Sequence, residues 1–311
     1  SSEFFNSMHA HLYQTIAKRF YLSTKDANKH IKELPKLKKY KYISSLVFKQ
    51  YGNGCKISGN KLKFNHLTLR INNYSNIDPE CIHTLQLKRT RSGKYFAIVT
   101  MDYDSFSLKK NQNIMNNYSN CIRIIDKNRV RQNKYIGVDV GIENLATCSN
   151  GICYENPRFL TKSLEDIQRK QKRLEGQVKG SNRYKKNQDL LAKKHEKISN
   201  QRLDYNHKVS KEIVLTCGTG IAVEDLDIKD MIAKHKSNHR FNREMMDAAW
   251  YLLIFMLEYK CKLYGKEFVK IDPAYTSIEC SKCGEAVSKV LSDREHKCSK
   301  CGLRMHRDLN A

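Results

Sequence analysis

Two short cysteine pairs, Cys280-Ser-Lys-Cys283 and Cys298-Ser-Lys-Cys301, constrain what this 311-residue chain can fold into more than any other feature. A Cys-x2-Cys knuckle brings two thiolates onto one tight turn, and two knuckles complete a closed tetrahedral set for one structural Zn2+ ion. Gly284 and Gly302 stand immediately after the knuckles, where such turns need a permissive backbone. The 14 residues between the knuckles make a loop slightly shorter than usual for a zinc ribbon, which small ribbons tolerate. His296 reads as a surface residue, with a substitute zinc ligand as the alternative. The other seven cysteines, Cys55, Cys81, Cys121, Cys148, Cys153, Cys217 and Cys261, show no framework spacing. That argues for a reducing compartment, in which thiols bind metal or pack as small apolar groups.

The net charge of +25 implies a polyanionic partner, and its distribution says where. Residues 1–134 hold 25 Lys and Arg against 8 Asp and Glu, and residues 161–216 hold 15 against 7; the remainder holds 17 against 17. A solvated surface would mix the two signs more evenly, so nucleic acid is the expected partner of the two basic segments. Arg183, Lys185 and Lys186 are candidate contacts in the second of them. The longest apolar run, Ala248 to Leu257, is ten residues, too short to span a bilayer, so no membrane is expected. A start at Ser1 without methionine, and a stop three residues after Asp308, read as a fragment trimmed at both ends.

Along the chain, residues 1–43 read as a basic helical segment. From 44 to 133, short alternating runs such as Lys61 to Ile71 and Lys94 to Met101 suggest about six strands in a small barrel or sandwich. A second unit begins at Lys134. Tyr135 to Val140, Leu145 to Ser149 and Ile152 to Tyr154 read as a meander, and Thr161 to Glu175 with about Ser181 to Thr216 as a helical hairpin whose apolar stripe runs through Leu190, Leu191, Ile198, Leu203, Val209 and Ile213. Ile221 to Glu224 is another strand, Arg240 to Tyr264 one buried helix apolar nearly all round, and Phe268 to Ile271 a last strand stopped at Asp272-Pro273. This order predicts an α/β fold, a mixed sheet flanked by helices in the RNase H-like manner.

Three acids carry the candidate chemistry. Asp139 alternates with Ile136, Val138 and Val140, so it faces away from the apolar side of its strand, with Gly137 and Gly141 leaving room for an approaching phosphate. Such a carboxylate is costly unless a cation or hydrogen bonds compensate it. Glu224 repeats the arrangement at the end of a second strand, with Asp225 and Asp227 as neighbouring alternatives, and Asp308 sits at a helix start after Arg307. Three acids from separate elements can hold two Mg2+ ions, or Mn2+, about 4 Å apart for phosphodiester hydrolysis.

Gly137-Val-Asp-Val-Gly-Ile-Glu-Asn-Leu-Ala146, Asn206-His-Lys-Val-Ser210, Val223-Glu-Asp-Leu226, Asp272-Pro-Ala-Tyr-Thr-Ser277, the paired knuckles and Arg307-Asp-Leu-Asn-Ala311 occur in that order. In this the chain resembles TnpB-type (OrfB) proteins of bacterial and archaeal insertion sequences, compact relatives of type V CRISPR effectors, over about residues 45 to 311. The resemblance implies a RuvC-like nuclease domain at 134–275 and 303–311 with Asp139, Glu224 and Asp308 as its catalytic acids. It implies a target-binding zinc ribbon inserted at 276–302, and a wedge-like β-barrel at 44–133 interrupted by a helical recognition unit to which 1–43 belongs. It further implies a transposon-derived guide RNA, double-stranded and single-stranded target DNA, recognition of a short duplex motif, and a place in the prokaryotic cytoplasm near the nucleoid. His306 stands where many relatives carry an acid. The activity expected is RNA-guided DNA cleavage; a non-cleaving DNA-binding regulator and a transposase accessory factor are the alternatives.

Overall fold

A computed structural model describes residues 10–29, 45–52, 54–64, 67–72, 79–101, 135–235, 237–274, 276, 278–289 and 293–310. The chain divides into two compact units, Ser1–Asn116 and Asn117–Ala311.

In the first unit, helix α1 (Ala10–Asn28) lies within the predicted helical opening. Residues 1–9 and 30–43 of that opening, like 102–134, lie outside the described residues. Two antiparallel sheets follow. One joins β1 (Ser45–Phe48), β5 (Ile82–Arg89) and β6 (Tyr95–Met101) in that order; the other joins β2 (Cys55–Ser58), β3 (Lys61–Phe64) and β4 (Leu67–Arg70). Alternation sets the register: Cys55 and Ile57 are buried while Lys56 and Ser58 are exposed. Phe48, Cys55, Ile57, Leu62, Ile82 and Leu85 form the shared core. Among the described residues no hydrogen-bonded pair joins the two sheets, so a closed barrel is not seen and the arrangement is two sheets over one core.

The second unit is built on a five-stranded sheet of β7 (Tyr135–Asp139), β8 (Asn144–Cys148), β9 (Cys153–Glu155), β10 (Gly220–Glu224) and β11 (Glu267–Ile271), ordered β11-β10-β7-β8-β9. The meander β7-β8-β9 is antiparallel, whereas β10 runs parallel to both β7 and β11. Parallel pairing needs crossovers, and the helices supply them. Between β9 and β10 come a 3-10 turn (Thr161–Ser163), α2 (Leu164–Glu175) and α3 (Asn182–Thr216); between β10 and β11 come α4 (Ile228–Lys234), α5 (His239–Ala248) and α6 (Trp250–Leu263). Ile136, Val138, Ile221 and Val223 on the sheet pack with Val209, Ile213, Leu253 and Leu257 of the helices. Gly220 is the tightest point: a Cβ there would stand 2.7 Å from the Glu267 carbonyl oxygen.

Three sequence expectations change here. The apolar stripe of α3 is only partly packed, because a 35-residue helix, about 52 Å long, outruns the sheet; Ile198, Val209 and Ile213 are buried, but Leu190 and Leu203 are exposed. The helix expected from Arg240 to Tyr264 is two helices, broken at Ala249, whose φ of 55° is left-handed. It is not buried all round either: Tyr251, Phe255 and Met246 face solvent. Lys260, on the same helix, is buried, and its ammonium donates to the His207 carbonyl (2.6 Å) and the Ser210 hydroxyl (2.8 Å) of α3. This contact gives the Asn206-to-Ser210 motif a structural purpose, since Ser210 in turn donates to the Asn206 carbonyl.

Candidate active site

Asp139 ends β7 on the face opposite Ile136 and Val138, at one wall of a cavity of about 660 Å³. Asp308, in the first turn of α7 (Arg307–Asn310), lines the same cavity, together with Glu143, Arg158, Arg294, Arg307, Phe241 and Trp250. Glu224 is not among the lining residues, but it ends the neighbouring strand β10 on the same face as Asp139, and both Glu224 and Asp308 act on the Asp139 charge. Burial is the largest cause, followed by repulsion from Glu224 and then Asp308, and together they push the Asp139 carboxyl up to about 7; Arg307 and the Val140 amide oppose this.

The supports of these acids are specific. The Trp250 indole donates to the Gly141 carbonyl (3.0 Å), tying the end of the Asp139 strand to the start of α6, and a Cβ on Gly141 would come within 3.0 Å of the Asn144 carbonyl. Gly141 is therefore needed for a close backbone approach rather than only for access. Thr276 donates to Glu224 Oε1 (2.6 Å). The neighbouring acids have other partners: Asp225 pairs with Lys270 (3.2 Å), and Asp227 caps α4 by accepting from the Asp230 amide (3.0 Å). Arg307 Nε lies 3.5 Å from Asp308 Oδ1, and His306 Nδ1 lies 3.8 Å from Oδ2.

Among the described residues the only set whose possible metal ligands all fall within 4.8 Å of one another is Cys280, Cys283, Cys298 and Cys301. Their sulfurs approach to 3.6 Å across the pairs Cys280–Cys301 and Cys283–Cys298. Ligands about 2.3 Å from a tetrahedral ion stand about 3.8 Å apart, so the set fits one closed zinc site. The two knuckles repeat one backbone pattern. Gly284 N donates to the Cys280 carbonyl and Gly302 N to the Cys298 carbonyl, with φ of 72° and 71° at the glycines. His296, read from sequence as a surface residue, is instead fully buried on β12 (Glu295–Lys297), which pairs with β13 (Arg304–His306). The ribbon is too small to hide its thiolates otherwise, and the imidazole takes that place with both ring nitrogens buried and no hydrogen-bond partner among the described residues.

The three carboxylates do not form a set as tight as the thiols. Ribbon and acids are nevertheless one construction. Asn310, buried, accepts from the Ser281 amide (3.0 Å) and donates to the Glu279 carbonyl (2.6 Å), so the first knuckle holds the helix that carries Asp308.

Arg183, Lys185 and Lys186 stand exposed on the first turns of α3, outside the cavity lining. Sequence reasoning passed over Asp247, Asn310 and Arg158. The first is a polar residue hidden in an apolar helix, and the second lies within a motif read only as a marker. Arg158 had a signal, since Asn156-Pro157 before it announces a turn.

Comparison with known proteins agrees in kind. Residues 108–234 match the OrfB_IS605 family, described as a probable transposase, and residues 250–311 match the Cas12f1-like TNB domain. A "Putative RNA-guided DNA endonuclease" of Streptomyces pristinaespiralis is 35% identical over 57% of this chain and 43% of its own length. The "CRISPR-associated endodeoxyribonuclease Cas12f1" of Sulfoacidibacillus thermotolerans is 27% identical over 72% of this chain and 54% of its own. The chain thus spans about half the length of such curated relatives. A solved Cas12f1-sgRNA-target DNA complex aligns with 92% of this chain and 73% of that one, at 15% identity and a TM-score of 0.40.

Proposed function

We propose that the chain, part of which matches the OrfB_IS605 family and part the Cas12f1-like TNB domain, is the RuvC-like nuclease part of a TnpB-type RNA-guided DNA endonuclease that hydrolyses phosphodiester bonds of the target. The observation that carries this reading is Asp139, a half-buried carboxylate that shares its surroundings with two further acids from separate elements and has too little hydrogen bonding to offset its partial burial. A cluster of like charges out of water is unfavourable unless cations share it. Asp139, Glu224 and Asp308 would hold a pair of Mg2+ or Mn2+ ions, since three acids from separate elements supply the hard oxygen ligands such ions prefer. When bound, such ions lower the pKa of water and neutralise charge developing on the phosphate.

The residues around them have separable tasks in this reading. Thr276 fixes the rotamer of Glu224, and Trp250 fixes the backbone beyond Asp139. Phe241 and Trp250 line the cavity and exclude bulk water from one side. Arg307, beside Asp308, offsets part of the acids' repulsion for a polyanion. Base pairing with the guide RNA would read the sequence, and the basic segments would hold the backbones of RNA and target DNA.

The test is cleavage of a matched plasmid by the protein purified with its own RNA. Sequencing of that RNA defines the guide, and Asp139→Ala serves as the control. Guide-dependent cutting that Asp139→Ala abolishes is expected; binding without cutting in the unmodified protein would replace this reading with that of a non-cleaving regulator.

A further inference from the structure

The cavity that holds Asp139 and Asp308 repels the strand it would have to admit, and the loop after β9 answers this. Asn156 Oδ1 accepts from the Arg158 amide (3.1 Å), and Asn156 Nδ2 donates to the carbonyl of Ile142 (2.8 Å), which itself lines the cavity. The Arg158 carbonyl accepts from the Lys162 amide (3.0 Å), so the turn is closed on both sides. Inside it Arg158 adopts a φ of 50°, a left-handed conformation that favours glycine or asparagine and that a β-carbon makes costly. A turn that needed only its shape would be served better by either of those residues. The arginine is held there despite the strain, and its side chain lines the cavity.

The other cavity arginines have carboxylate partners. Arg294 lies 3.4 Å from Glu143, and Arg307 lies 3.5 Å from Asp308. Among the described residues no carboxylate pairs with Arg158, which is exposed at the cavity wall. A guanidinium on a hydrogen-bonded turn, lining the same cavity as Asp139 and Asp308, presents a fork suited to the non-bridging oxygens of a phosphodiester. We infer that Arg158 binds a backbone phosphate of the DNA strand being cut and holds that strand against the acids. The inference rests on the nuclease reading of this cavity and adds to it the residue that seats the substrate.

Arg158→Gly and Arg158→Asn remove the guanidinium while suiting the left-handed backbone, so both variants should melt no lower than the unmodified chain. Arg158→Lys keeps the charge and loses the fork. With the full chain loaded with its RNA, single-turnover cleavage should fall about 100-fold in the Gly and Asn variants and about tenfold in the Lys variant. In an Asp139→Asn background, which removes cutting, affinity for a short single-stranded DNA oligonucleotide should lose about 0.7 from its log-log salt slope in the Gly and Asn variants. The Lys variant should keep that slope. Unchanged rates with an unchanged slope would overturn the inference and leave Arg158 a turn residue. If the unmodified chain does not cut at all, the nuclease reading fails, and the oligonucleotide slope still decides whether Arg158 holds a phosphate. A lower melting temperature in both Gly and Asn variants would transfer the decision to Arg158→Lys, whose rate loss at constant slope a merely structural role does not give.

Discussion

Asp139 is half-buried and Asp247 buried, and their surroundings treat the two carboxylates differently. Asp247, 1% exposed at its side chain, accepts from the Leu160 and Thr161 amides, the Thr161 hydroxyl and Arg202. It fastens α5 to α3 and to the turn before α2. Replacing it with alanine leaves Arg202 and two amides unanswered and should cost about 3–5 kcal/mol in urea denaturation; a loss below 1 kcal/mol would mean those donors find water. Asp139 has no comparable set of donors, and burial with its acidic neighbours raises it from 3.8 to about 7. A carboxyl raised in the fold binds its proton more tightly there than in the unfolded chain. Its contribution is therefore full below about pH 4 and is lost as pH rises through about 7. Without added divalent ions, ionising it by pH 8 costs on the order of 4 kcal/mol, and Asp139→Asn should remove that pH-dependent loss. Parallel stability curves for the two proteins from pH 5 to 8 would contradict this.

At the scale of elements, the break at Ala249 turns α6 so that Trp250 reaches the Gly141 carbonyl while Leu253 and Leu257 enter the core. Alanine pays for this left-handed position where glycine would not. Ala249→Gly should stabilise the protein by about 1 kcal/mol, read as a higher urea midpoint with cutting retained. Destabilisation would show that the methyl group packs. Strand periodicity, crossover helices and cysteine knuckles were legible in the sequence, because alternation and spacing are local signals. The break at Ala249 was not, because nothing in Asp247-Ala-Ala-Trp250 marks a left-handed residue; the need to aim Trp250 at β7 is tertiary. His296 was misread for a similar reason, since polarity predicts exposure only where no metal-ligand shell requires cover. The acids were legible one by one, but their distances, and Arg158 among them, depend on how a loop closes.

At the scale of the whole molecule, charge and chemistry are separated. Arg183, Lys185 and Lys186 stand exposed at the start of α3 with no carboxylate paired to them among the described residues. Neutralising all three should weaken RNA binding and flatten its salt dependence by up to about one log-log unit per lost contact. Lys262→Ala is the matching control; Lys260 is unsuitable because it is buried against α3. Equal losses in both would make the charge a matter of solubility. The ribbon makes a different prediction, because Asn310 joins its first knuckle to the helix of Asp308. Cys283→Ser should release the zinc and end cleavage while the helical signal of α2 and α3 persists; cutting without zinc would refute the link. That link also orders events in time. During synthesis Asp139 and Glu224 emerge first, on strands that can pair as soon as both exist, whereas Asp308 emerges last and is seated only once the ribbon has closed. A ribosome-bound chain thus carries its sheet without its third acid, so the proposed cutting would have to wait until the ribbon has closed around a metal at a site that does no cutting itself.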